Sequence, residues 1–147
     1  MPSTQSAQFR SRAEAMYARD LTCRNLGILL DDVGPGRARM RLRVTDTMVN
    51  GHGTVHGGYL FLLADAAFAY ACNSYGPVAV AQSAQVTFLR PAAVHDELQA
   101  DAVERARSGR TGIYDVTVRR IDGEVIAEFR GHSTLLAGKP PNPPGGV

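Results

Sequence analysis

With 147 residues, 44% hydrophobic and 20% charged, the chain can bury one ordinary core without help from a metal or a disulfide. Its net charge of +2, from 16 basic against 14 acidic side chains, gives no electrostatic footprint for a nucleic-acid partner. Cys23 and Cys72 lack CxxC spacing, so neither a disulfide framework nor a zinc knuckle is expected, and a reducing cytoplasm fits best.

From Met1 to Asp20 there is no apolar core of a secretion signal, and the longest apolar stretch, Tyr59 to Cys72, is interrupted by Asp65 and too short to span a bilayer. No signal peptide and no membrane partner are therefore expected. Gln8 to Arg19 sets Phe9, Ala13, Met16 and Tyr17 at helical spacing, which predicts an N-terminal surface helix within residues 1–22. Leu26 to Thr45 changes to period two, with Arg37, Arg39, Arg41 and Arg43 alternating with Ala38, Met40, Leu42 and Val44 after Gly34-Pro35-Gly36. That predicts a hairpin with one wet face.

Tyr59 to Tyr75 reads as a helix, with Leu60, Leu63, Ala64, Ala67, Phe68 and Ala71 on one side. Its other side, Phe61, Leu62, Ala69 and Cys72, is apolar too, so burial nearly all round is expected. Beyond Gly76-Pro77 come extended stretches at Val78 to Leu89, Asp96 to Arg107 and Gly112 to Ile121, the last joined by Asp122-Gly123 to a fourth at Glu124 to Leu136. Residues 1–137 are expected to form a single domain, and the Pro- and Gly-rich residues 138–147 a disordered tail. The sum is an α+β arrangement in which a curved antiparallel sheet wraps one long helix.

The chemistry concentrates in the middle. From Thr47 to Leu89 the only Asp, Glu, Lys or Arg is Asp65. An ionised carboxylate in so apolar a region must be paired or used, and residue types alone leave both open: a salt bridge to a distant Arg, or a catalyst. Immediately upstream stands Asn50-Gly51-His52-Gly53-Thr54-Val55-His56-Gly57-Gly58, whose glycines permit close backbone approach where the helix begins. Backbone N–H groups there suit a developing oxyanion, with Gly57 N–H as the candidate donor. GxGxxG is not met, no GxSxG elbow occurs, and His52 and His56 sit among glycines rather than on one helix face, so no metal is expected.

NGHGTVHGG followed by FLLADAAFAYACNS resembles the PaaI-type (phenylacetic acid degradation) thioesterases of the hotdog superfamily, and Gln85-Val86-Thr87-Phe88-Leu89-Arg90-Pro91-Ala92 extends the resemblance. It implies a hotdog fold, hydrolysis of phenylacetyl, hydroxyphenylacetyl or short-to-medium acyl-CoA, no cofactor beyond the CoA of the substrate, and homodimers paired into homotetramers. It also implies that Asp65 of one subunit, as general base or nucleophile, faces Asn50, His56 and Gly57 of the other. Asn50 would hold the attacking water or the carboxylate, and His56 would support the thioester. Gly58, Ser83 and Arg90 are the candidate substrate-binding residues, Arg90 being equally readable as an ordinary charged strand end. Two rival readings share the fold: a hydratase or dehydratase acting on acyl thioesters, and a non-catalytic acyl-CoA-binding protein.

Overall fold

The computed structural model describes Thr4 to Leu136, so the expected tail at residues 138–147 lies outside the described residues. Two helices lead the chain, α1 (Thr4–Ala18) and α2 (Leu21–Leu26). Alternation then gives β1 (Leu29–Gly34) and β2 (Arg37–Arg43), a 3-10 turn at Asp46–Met48, α3 (Gly57–Cys72), β3 (Ala79–Phe88), β4 (Glu97–Ser108), β5 (Thr111–Arg120) and β6 (Val125–Leu135). The expected long helix and later strands all form.

The six strands make one antiparallel sheet in the order β1-β2-β4-β5-β6-β3, so the strand after α3 crosses the whole sheet to pair with β6 at the far edge. Alternate residues of the central strands, among them Met40, Leu42, Ala100, Tyr114, Val116 and Phe129, point inward and are almost fully buried. Against them lies the inner stripe of α3: Leu60, Leu63, Ala64, Ala67, Phe68 and Ala71. Phe68 stacks edge-on to Tyr114 at 5.6 Å and tilted to Phe129 at 5.7 Å. It also fills the notch left by Gly131, where a Cβ would come within 2.8 Å of its ring.

Hairpin β1-β2 turns at Pro35-Gly36, and Gly36 is required twice over. Its φ is +68°, and a Cβ there would meet Glu104 Oε1 at 2.7 Å and Tyr75 Oη at 2.8 Å. The arginine row of β2 is wet, as alternation predicts, and each member finds an acid: Arg37 with Asp32, Arg39 with Asp101, Arg41 with Asp31 and Arg43 with Glu97. These surface pairs organise the outer sheet face; each contributes about 0–1 kcal/mol.

Two expectations need correction. One N-terminal helix was expected within residues 1–22 and period two from Leu26, whereas a second helix, α2, occupies Leu21–Leu26, because its signals are side-chain specific: Asp20 caps it by accepting from Cys23 N–H at 3.0 Å, and Gly27 ends it with φ +79°. Nor is α3 buried all round. Phe61, Leu62, Asp65 and Ala69 are only half-buried in the single chain, since the sheet covers one face of the helix and leaves the other partly open.

Candidate active site

The half-open face of α3 carries the unusual group. Asp65 makes no ion pair and no side-chain hydrogen bond among the described residues, so no salt bridge within them satisfies it. Burial pushes its carboxyl above the usual value of 3.8. Two helical turns on, burial pushes the Cys72 thiol up to about 12, with the Asp65 charge adding to the effect. Cys72 is thus held as a neutral thiol and offers no nucleophile near neutral pH. Beside it, at the C-terminal end of α3, opens a cavity of about 380 Å³ lined by Tyr75, Ala79, Tyr114 and Ser133 among others.

At the other end of α3 the glycine-rich loop is built rather than loose. Asn50 organises it: its Oδ1 accepts from His52 N–H at 2.9 Å and Thr54 N–H at 3.2 Å, while its own N–H donates to Thr54 O at 2.7 Å. Gly53 takes φ +83° to close this turn. Val55 N–H then donates to Ala92 O and His56 N–H to Met48 O, both at 2.8 Å, clamping the loop from two sides. The Asn50 Nδ2 group has no partner among the described residues.

The helix therefore starts from a fixed point without a side-chain cap. His56 is the N-cap in an extended conformation, but its imidazole makes no capping bond. Gly57 N–H and Gly58 N–H have no acceptor among the described residues, and both lie at the positive end of the α3 dipole. Such amides are pre-aimed donors for an anion.

Asn50, His56, Gly57 and Gly58 thus form one cluster, with Asp65 farther along the same helix. Ser83 lies on β3 and Arg90 just beyond it, and neither makes a hydrogen bond or ion pair to these residues among the described residues. A β-bulge between Ala81 and Ser83 sets Ser83 opposite His132, in the row that alternates with the buried Gly131 and Ser133. Arg90 pairs with Glu124 at 3.2 Å just beyond β3 and is half-exposed. Phe88, which carried no role in the sequence reading, lies against Gly57 instead. Only a contact across the fold reveals it.

The sequence profile of the Thioesterase superfamily matches residues 52–127, spanning the loop, α3 and most of the sheet. The acyl-coenzyme A thioesterase PaaI of Escherichia coli is 44% identical over 126 residues, 86% of this chain and 90% of that protein. A putative esterase of Deinococcus radiodurans is 43% identical over 108 residues, 72% of this chain and 73% of that protein. Among solved structures, the E. coli PaaI protein from the phenylacetic acid degradation operon superposes with a TM-score of 0.89 at 41% identity, covering 92% of this chain and 98% of that one. A protein of Thermus thermophilus superposes at 0.77 with 40% identity, covering 80% and 99%. By sequence and fold alike, this chain belongs to the thioesterase superfamily as a hotdog-fold thioester hydrolase.

Proposed function

We propose that the protein hydrolyses acyl-CoA thioesters, aryl acetyl groups such as phenylacetyl first among them, at a site shared between two copies of the chain. The acyl-CoA assignment follows the E. coli relative's activity. The observation that carries the mechanism is the spacing of the two halves of the chemistry. Gly57 and Asp65 are eight residues apart on one helix, about 12 Å at 1.5 Å per residue. A donor to the carbonyl oxygen and a base for the attacking water must both sit about 3 Å from the reacting groups. One α3 cannot supply both to the same thioester; two antiparallel copies can.

The uncovered surface supports that pairing. The open stripe of α3 lies on the β6 side of the sheet, where Phe61 meets Phe129 edge-on at 5.4 Å, and next to β6 runs β3, an edge strand whose residues from Val80 to Gln85 are all exposed. A ten-residue edge with unpaired backbone groups on one side is a template for a second strand. Pairing β3 with its symmetry mate would continue the sheet and lay the two α3 helices alongside each other. A dimer of such dimers, in the cytoplasm, completes the proposal.

In that site Asp65 takes a proton from water as the water oxygen attacks the thioester carbon, and the oxyanion forms against the partner's Gly57 N–H. Collapse breaks the C–S bond, and the proton returned from the Asp65 carboxyl goes to the departing CoA sulfur. Asn50 Nδ2 is free to hold the water, and His56 lies next to the donor. No cofactor enters the step.

The test is free-thiol release from phenylacetyl-CoA and a panel of aryl and fatty acyl-CoA by purified protein, with Asp65→Asn as control. Release by the wild type and its loss in a folded Asp65→Asn variant supports the reading. Thiol release at near-normal rate by that variant would remove Asp65 from the mechanism.

A further inference from the structure

Gly57 is a glycine for a reason that its own backbone does not supply. It is the first residue of α3 and is not among the residues with positive φ, so any L-residue could adopt its conformation. What a side chain would meet is Phe88: a Cβ at Gly57 would lie 2.8 Å from the ring Cζ and 3.1 and 3.2 Å from the two Cε atoms, so the ring would have to move. Gly58, its neighbour, would meet nothing within 4 Å. The glycine at 57 answers to one aromatic ring.

That ring is well placed to be a reference point. Phe88 is the last residue of β3, registered opposite the fully buried Ala127, and hence on the helix side of the sheet. Leu89 N–H and Arg90 N–H both donate to Ile126 O just beyond it, fastening the strand end to β6. Yet Phe88 is 51% exposed, so burial in the single chain does not explain its size. An exposed aromatic on a fastened strand end, set against the first of the two glycines that offer an oxyanion donor, has a geometric use.

The geometry points to Phe88 as a positioning residue: its ring sets the height of the first turn of α3 over the edge strand and so aims the Gly57 N–H at the thioester oxygen. The inference rests on the reading of Gly57 as the oxyanion donor. It adds that ring-to-backbone contact completes the donor's aim: the Val55 and His56 amides anchor the loop behind the helix, and the first turn itself, with neither a capping side chain nor a Cβ, is met at Gly57 by the ring.

The test is a mutant cycle on the full-length protein with a substrate that the wild type hydrolyses. Gly57→Ala keeps the N–H but drives a methyl into the ring, and should lower kcat by about 100-fold, the effect of losing one oxyanion donor. Phe88→Ala should lower kcat by about tenfold with KM changed less, since the contact acts on the transition state. Combining them makes room for the methyl, so the double variant should run at least about tenfold faster than Gly57→Ala alone, the non-additivity of directly contacting residues.

Circular dichroism and size-exclusion chromatography on each variant check fold and assembly, and if the double variant does not fold, Phe88→Leu with Gly57→Ala takes its place. A double variant no faster than Gly57→Ala, or a Gly57→Ala protein with wild-type kcat, overturns the inference. Either result leaves the shared-site mechanism standing if Asp65→Asn is inactive; a fully active Asp65→Asn enzyme brings down the mechanism itself.

Discussion

The two faces of α3 divide the labour of this protein. The inner face packs Leu60, Leu63, Ala64, Ala67, Phe68 and Ala71 on the sheet, every one of them almost fully buried and apolar. The outer face leaves Phe61, Leu62, Asp65 and Ala69 half-open and seats among them a carboxylate with no partner among the described residues. One face serves stability and the other is left unfinished. A lone carboxylate on an apolar stripe destabilises an isolated chain, and its retention marks the face where substrate and a second copy are expected to complete the surroundings.

Exchanging the chemistry on one face for packing on the other separates the two roles. Asp65→Asn, nearly isosteric, should lower kcat by about 10²- to 10⁴-fold, the range of a general base, with an unchanged circular dichroism spectrum. Phe68→Ala should cost about 3–5 kcal/mol of folding stability in urea unfolding, because the Gly131 notch that receives the ring cannot collapse around alanine. A catalytic collapse with intact packing on the outer face and the converse on the inner one would establish the division. Equal stability losses from both would abolish it.

Mixed dimers sharpen the comparison. Gly57→Pro, carried together with Phe88→Ala to clear the ring that a Cβ at 57 would meet, removes the N–H at a first-turn position, and His56 already has the extended conformation that precedes a proline. Random exchange of inactive Asp65→Asn with this inactive double variant should restore about a quarter of wild-type activity, as half the dimers each regain one of two symmetric sites. No recovery after mass spectrometry confirms exchange would place donor and base in the same chain.

A smaller effect concerns pH. Because burial raises the Asp65 carboxyl above 3.8, the folded chain favours the protonated form. That contribution to stability is present at low pH and is lost as pH rises through the unfolded-state value and past the folded one. Asp65→Asn should therefore raise the melting temperature modestly at pH 7, and the gain should vanish as pH falls below the usual carboxylate range. The rate of the wild type should fall on the acid side along a limb whose midpoint lies above 3.8. Smallest of all, Arg39→Ala on the outer sheet face should cost at most about 1 kcal/mol by thermal melting, its pair with Asp101 being exposed.

Much of this was legible in the order of residues. Period two in β2, the Asp122-Gly123 turn between β5 and β6, and the 3.6-residue spacing of α3 are local signals, and local backbone preferences realise them. The isolation of Asp65 and the glycine-rich loop before it were equally plain, and the arginine row declared its wet face. Other features were not legible, because each depends on groups far apart in sequence. The crossover of β3 to the edge beside β6 leaves most of its residues exposed, which no local pattern in that strand announces. Arg90 found Glu124, and the bulge at Ala81 to Ser83 set Ser83 opposite His132.

The sequence by itself determined which residues could do chemistry here, since a lone carboxylate, a run of glycines and the lack of any other charged side chain in that stretch are matters of composition and order. Tertiary structure alone decided which of them have partners and which do not. Pairing, burial and contact arise only when strands distant in sequence are laid side by side, and it is that juxtaposition which leaves Asp65 unpaired among the described residues, frees the Gly57 amide and brings the Phe88 ring against it.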